Sequence, residues 1–147
     1  MYLENWETSR YRDLVDRAVK ALEFAYTPYS HFQVGAALLD RQGRVWTGCN
    51  IESASYTPTS CAERTALFKA VSEGVKEFQA LVVVGRQEGK DRLTEKPTAP
   101  CGVCRQALVE FCPPDMPVIL ADATKTLSIF RLDELLPLSF TKEQMEE

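Results

Sequence analysis

Apolar residues recur along the chain in two periods, and the changes of period separate the elements. Between Glu7 and Ala25, Tyr11, Leu14, Val15, Ala18, Leu22 and Ala25 return at three- and four-residue steps. That spacing predicts an amphipathic helix, with Thr8 and Ser9 as cap candidates. Thr27-Pro28-Tyr29-Ser30 breaks it. Two strands are predicted next, Gln33 to Leu39 and Arg44 to Ile51, joined by Asp40-Arg41-Gln42-Gly43 with hairpin-turn chemistry. Gly35 and Gly48 inside these runs point to bulges or to another backbone passing close by. A polar loop, Glu52 to Ser60, leads to a second helix from Cys61 to Ser72, stopped by Gly74.

Phe78 to Gly85 reads as a buried strand, followed by a charged loop from Arg86 to Pro100. A loop of that length is at the upper edge for a structureless connection, so it is a candidate cover for a site. Cys101 to Phe111 is the third helix, ended by Pro113-Pro114. Val118 to Ala121 and Leu127 to Leu132 are further strands, with short helices at Asp133 to Leu136 and Thr141 to Glu147. A hairpin followed by strand–helix alternation predicts one mixed sheet of five strands with helices on its faces.

The 147 residues fit a single domain spanning 1–147. Lys plus Arg is 17 against 21 Asp plus Glu, a net charge of −4. No cationic surplus draws in a phosphate backbone, so no nucleic-acid partner is expected. No run approaches the roughly 18 apolar residues of a membrane span, and the start, MYLENWETSR, has no apolar signal core. A cytoplasmic protein with no membrane partner is expected.

Cysteines stand at 49, 61, 101, 104 and 112. The odd count and uneven spacing fit a disulfide framework poorly and metal ligation or reactive thiols better. Cys101-Gly102-Val103-Cys104 opens a helix, and residues three apart share a helix face. On its own this pair is a metal site, a thiol–disulfide couple or plain buried cysteine. Cys61 opens another helix. A zinc ion off the tips of both helices, held by Cys61, Cys101 and Cys104, would keep a fourth position open, the mark of a catalytic rather than a structural site. Glu63 has two local readings: the capping box Ser60-x-x-Glu63, or a proton-carrying group aimed at metal-activated water.

Cys61-Ala62-Glu63 followed by Pro100-Cys101-Gly102-Val103-Cys104 resembles the zinc nucleoside deaminases in their three-cysteine form. The likeness extends to Pro28-Tyr29-Ser30-His31-Phe32-Gln33-Val34-Gly35-Ala36-Ala37, to Asn50-Ile51-Glu52-Ser53-Ala54-Ser55-Tyr56 and to Leu135-Leu136-Pro137. These look like the small, homotetrameric cytidine deaminases, over roughly residues 10 to 140. The resemblance implies a three-layer αβα fold with a mixed five-stranded sheet. It implies one Zn2+ per chain on Cys61, Cys101 and Cys104, and hydrolysis of cytidine and deoxycytidine to uridine and deoxyuridine plus ammonia, in pyrimidine salvage.

By the same resemblance Glu63 is the catalytic proton shuttle, and Arg64 donates to the ligand sulfurs. Asn50 and Glu52 grip the ribose hydroxyls, Phe32 packs on the pyrimidine, and Ala62 belongs to the substrate site. Ala54, Tyr56 and Phe140 correspond to positions that reach a neighbouring subunit's pocket. Gln106 stands behind the metal ligands. His31, Cys49 and Cys112 are expected to have no ligand role. Leu138-Ser139 precedes Phe140 where the family often has glycine. The competing readings are a deaminase of another aminated ring such as blasticidin S, against which Asn50-x-Glu52 argues, and a non-catalytic zinc-binding module.

Overall fold

The computed structural model describes residues 1–4 and 6–146. Among them six strands form one sheet: β1 (Tyr2–Glu4), β2 (Phe32–Asp40), β3 (Val45–Cys49), β4 (Phe78–Gln87), β5 (Pro117–Ala121) and β6 (Thr126–Arg131). Their order is β1-β6-β5-β4-β2-β3. Only β4 and β5 pair in parallel, and the other neighbours are antiparallel, so the sheet is mixed as expected. The five predicted strands are all present. The sixth, β1, is a three-residue edge strand, too short to carry a pattern.

Among the described residues five α-helices complete the fold: α1 (Arg12–Leu22), α2 (Ala62–Ser72), α3 (Gly102–Phe111), α4 (Leu132–Leu135) and α5 (Lys142–Met145). α1 is shorter than its periodicity suggested. Trp6–Thr8 forms a separate 3-10 turn, and Ser9 Oγ accepts the Tyr11 N–H at 3.1 Å, so the serine closes a turn rather than capping the helix. The last predicted helix shrinks to α5, and its final residue, Glu147, lies outside the described residues.

The central strands carry apolar side chains on both faces, which is why they read as unbroken hydrophobic runs. Ala36, Leu38, Leu81, Val83, Val118 and Leu120 pack under α2, α3 and α4. Ala37, Val82, Val84, Ile119 and Ala121 point the other way, against Leu14, Val15, Ala18 and Leu22 of α1. The result is three layers, helix on sheet on helix.

Gly35 and Gly48 are close-approach sites. A Cβ on Gly35 would sit 2.1 Å from the Ala18 carbonyl oxygen, and one on Gly48 would sit 2.4 Å from that of Ala62. The first turn of α2 therefore lies directly on β3. The long loop after β4 is not structureless: Leu93 is buried, the Thr94 N–H donates to Gly85 O at 2.9 Å, and its carbonyl accepts from Ala123. Among the described residues, no helix is long and apolar enough to cross a membrane.

Candidate metal centre and active site

α2 and α3 begin at the same place. Cys61 is the N-cap of α2 and Cys101 the N-cap of α3, both in extended conformation and neither spending its side chain on a capping bond. An N-cap side chain free of the helix can face outward beyond its tip. Cys104, one turn into α3, leans the same way because helix side chains tilt toward the N-terminus. The three sulfurs all lie within 4.8 Å of one another, with Cys61 and Cys101 at 3.7 Å. Zinc–sulfur bonds of about 2.3 Å in a tetrahedron separate sulfurs by roughly 3.8 Å. The donor set therefore fits zinc, and Cys49 and Cys112 stand outside it.

The surroundings favour negative sulfur. Two helix N-termini present partial positive charge, and Arg64 Nη2 lies 3.6 Å from Cys61 Sγ and 3.4 Å from Thr59 O. The Cys61 thiol is held well below its ordinary range, first by a hydrogen bond from Cys104, with Arg64 and Cys101 helping against the effect of burial. Cys104 is pushed up because it keeps the proton it donates to Cys61 and is itself buried. Cys112, by contrast, is pushed up to about 12 by burial alone, as an inert core thiol would be.

Glu63 sits in the first turn of α2, 3 % exposed, and its Oε1 has no hydrogen-bond partner. Burial raises its carboxyl to about 7, the charge at Cys61 adds to this, and its own backbone N–H, Cys104 and Arg64 pull against it. The capping-box reading falls here. The N-cap is Cys61, not Ser60, and Ser60 Oγ donates to Cys61 O at 3.3 Å instead. Ala62 is wholly buried, with its carbonyl oxygen against Gly48 of β3.

A second group gathers where β3 ends. Asn50 bridges the start of β2: its Oδ1 accepts the Val34 N–H and its Nδ2 donates to Phe32 O, both at 2.9 Å. Glu52 Oε1 accepts the Tyr29 and Ser30 N–H groups at 3.0 Å each, and Oε2 accepts the Ser30 hydroxyl. Burial would raise its pKa, but the Ser30 and Tyr29 donors and nearby His31 more than offset this and hold it low. Phe32 is half-buried. Ala54, Tyr56 and Phe140 stand out in solvent, Tyr56 with its ring edge-on to Tyr29 at 6.4 Å. Gln106 Nε2 donates to Phe140 O at 2.8 Å rather than backing a sulfur. Tyr29 and Ser30 are the functional partners that sequence reasoning did not single out individually.

The sequence model of the cytidine and deoxycytidylate deaminase zinc-binding region matches residues 8–120, a span that holds all three cysteines and Glu63. The chain belongs to this zinc-binding deaminase family. It is 48% identical over 132 residues to a cytidine deaminase of Sporosarcina psychrophila, covering 90% of this chain and 92% of that protein. The crystal structure of cytidine deaminase from Burkholderia pseudomallei superimposes with a TM-score of 0.80 at 43% identity, covering 88% of this chain and 98% of that one. A Blasticidin-S deaminase of Bacillus cereus is more distant, at 30% identity over 132 residues, covering 88% of this chain and 91% of that protein. Family membership and the cysteine trio agree on zinc as the cofactor.

Proposed function

We propose that this chain is an enzyme that hydrolyses cytidine and deoxycytidine to uridine and deoxyuridine, releasing ammonia. The observation that carries this reading is the unpartnered, buried oxygen of Glu63 beside three converging sulfurs. A structural zinc site would not need such a group, and leaving one unsatisfied is costly. Zinc on Cys61, Cys101 and Cys104 supplies Lewis acidity and lowers the pKa of a water ligand toward neutrality.

Glu63 then does the proton work. It would carry both protons of the water, the first to ring N3 as the oxygen adds to C4, and the second, taken from the hydroxyl then on C4, to the departing amine as the C4–N bond breaks. One water enters and one ammonia leaves, and the carboxylate returns to its starting state. Arg64 and the two helix ends offset the charge of three thiolates.

Asn50 and Glu52 have the capacity to bind a ribose. An ionised carboxylate offers about four lone-pair sites, and three of Glu52's are taken, which leaves one on Oε2 for a hydroxyl. Asn50 likewise retains one N–H and one lone pair. The Glu52 carboxylate would repel a phosphate, so free nucleosides are preferred to nucleotides or nucleic acid. Phe32 packs on the pyrimidine. The exposure of Ala54, Tyr56 and Phe140 supports a role in a neighbouring copy's site, within a homotetramer. We read residues 1–147 as a single deaminase domain, acting in the cytoplasm in pyrimidine salvage.

The test is zinc per chain together with the loss of cytidine absorbance, for wild type and Glu63→Ala. The expected result is zinc retained in both and turnover lost in the variant. Turnover surviving in Glu63→Ala removes Glu63 as the shuttle. A zinc-loaded wild type inert toward every pyrimidine nucleoside overturns the enzyme reading, and turnover of blasticidin S alone redirects it.

A further inference from the structure

Both sugar-side residues hang from one loop. Glu52 is held by the backbone of Tyr29 and Ser30 and by the Ser30 hydroxyl, and Asn50 by the carbonyl of Phe32. Ser30 Oγ also accepts the Phe32 N–H at 3.1 Å. Between Ser30 and Phe32 stands His31, whose φ of 57° lies in the left-handed region. A non-glycine residue stays there only when its surroundings hold it.

Three contacts hold it. The His31 N–H donates to Thr27 O at 3.0 Å, and its carbonyl accepts the Glu88 N–H at 2.8 Å. Its ring Nδ1 donates to Glu88 Oε2 at 2.7 Å. Glu88 follows directly on β4, so the pair ties this loop to the central sheet. Rotation at His31 would move Ser30 on one side and Phe32 on the other, and with them the anchors of both Glu52 and Asn50.

We propose that His31 and Glu88 are positioning residues for the sugar subsite, locking the left-handed turn that aims Asn50 and Glu52. The proposal rests on the nucleoside reading above. Neither residue touches the substrate. Their side chains are 64 % and 46 % exposed, and an exposed polar side-chain contact adds little to stability. Removing it therefore shifts binding geometry more than folding.

The experiment compares zinc-loaded wild type with His31→Asn, Glu88→Ala and the double variant. Asparagine tolerates the left-handed turn but cannot span to Glu88, and Glu88→Ala keeps the backbone N–H contact. Zinc content, kcat and KM are measured with cytidine and with 2′,3′-dideoxycytidine, which lacks the 2′ and 3′ hydroxyls but keeps the 5′ one. We expect KM for cytidine to rise about three- to fivefold in each single variant, with kcat and zinc content unchanged. KM for the dideoxy substrate should rise clearly less, because only the packing of Phe32 on the base is then disturbed, and the double variant should be no worse than either single one. An unchanged KM for cytidine, an equal shift for both substrates, or additive effects would each overturn the proposal. A wild type inactive on both substrates would instead sink the nucleoside reading and this proposal with it.

Discussion

Among the described residues three carboxylates are buried, Asp40, Glu63 and Asp122, and the first two have opposite fates. Asp40, at the β2–β3 turn, is fully buried and surrounded by donors. Its Oδ1 accepts the Gln42 and Arg44 N–H groups at 2.9 Å, and its Oδ2 accepts Trp46 Nε1 at 3.0 Å and Arg44 Nε at 3.3 Å. Burial alone would raise its pKa, yet these bonds hold it below the ordinary value. Glu63 is nearly as buried, keeps an unpartnered oxygen and is raised to about 7. Burial is common to both, so it does not distinguish a structural carboxylate from a reactive one; the supply of donors does. At Asp40 the hydrogen bonds tie down a turn. At Glu63 one oxygen is left over, and reaction chemistry needs such an oxygen.

The sharpest test of that contrast is Glu63→Gln. It should lower kcat by about 10²–10⁴ while leaving zinc content and thermal stability near wild type. A large loss of stability instead would make Glu63 a second Asp40. Next is Arg64→Ala, which should weaken zinc binding about 10–100-fold, read by competition with a chelator. Unchanged affinity would mean that the helix ends alone support the sulfurs.

Asp40→Asn should destabilise the fold by about 1–3 kcal/mol, because an amide turns one acceptor into a donor facing donors, while kcat of the folded enzyme stays the same. The pH dependence has a definite sign. Asp40 is depressed in the folded state, so its contribution is complete above its ordinary value of 3.8 and is lost as pH falls through the lower folded value. The difference in unfolding free energy between wild type and Asp40→Asn should therefore close in acid. The smallest effect belongs to Arg44→Ala, about 0.5 kcal/mol. Its side chain is 59% exposed, and three other donors remain on Asp40. A larger loss would show that the Arg44 contacts, including its stacking 5.0 Å over Trp46, dominate the turn.

The central strands and helices were legible because their burial has a period. Val82 and Val83 face opposite layers and both are covered, so the run announces itself. The trio of sulfurs was legible because each sits at a predicted helix start. What escaped lacks local pattern. β1 exists through its pairing with β6, a contact between chain positions far apart. Ser60-x-x-Glu63 matches a cap in sequence, yet the chain places the N-cap one residue later, and that shift frees Glu63. Leu138 adopts a φ of 54° while fully exposed, a backbone demand that its residue type does not advertise.

Cys61 and Cys101 are 40 positions apart, so an ion shared between them acts as a removable cross-link. By analogy with a covalent staple, closing a loop of that size would restrict the unfolded chain by about 4 kcal/mol. Loading then does two jobs at once, arming the reaction and clamping α2 to α3. A strong chelator should therefore lower the melting temperature as well as the rate.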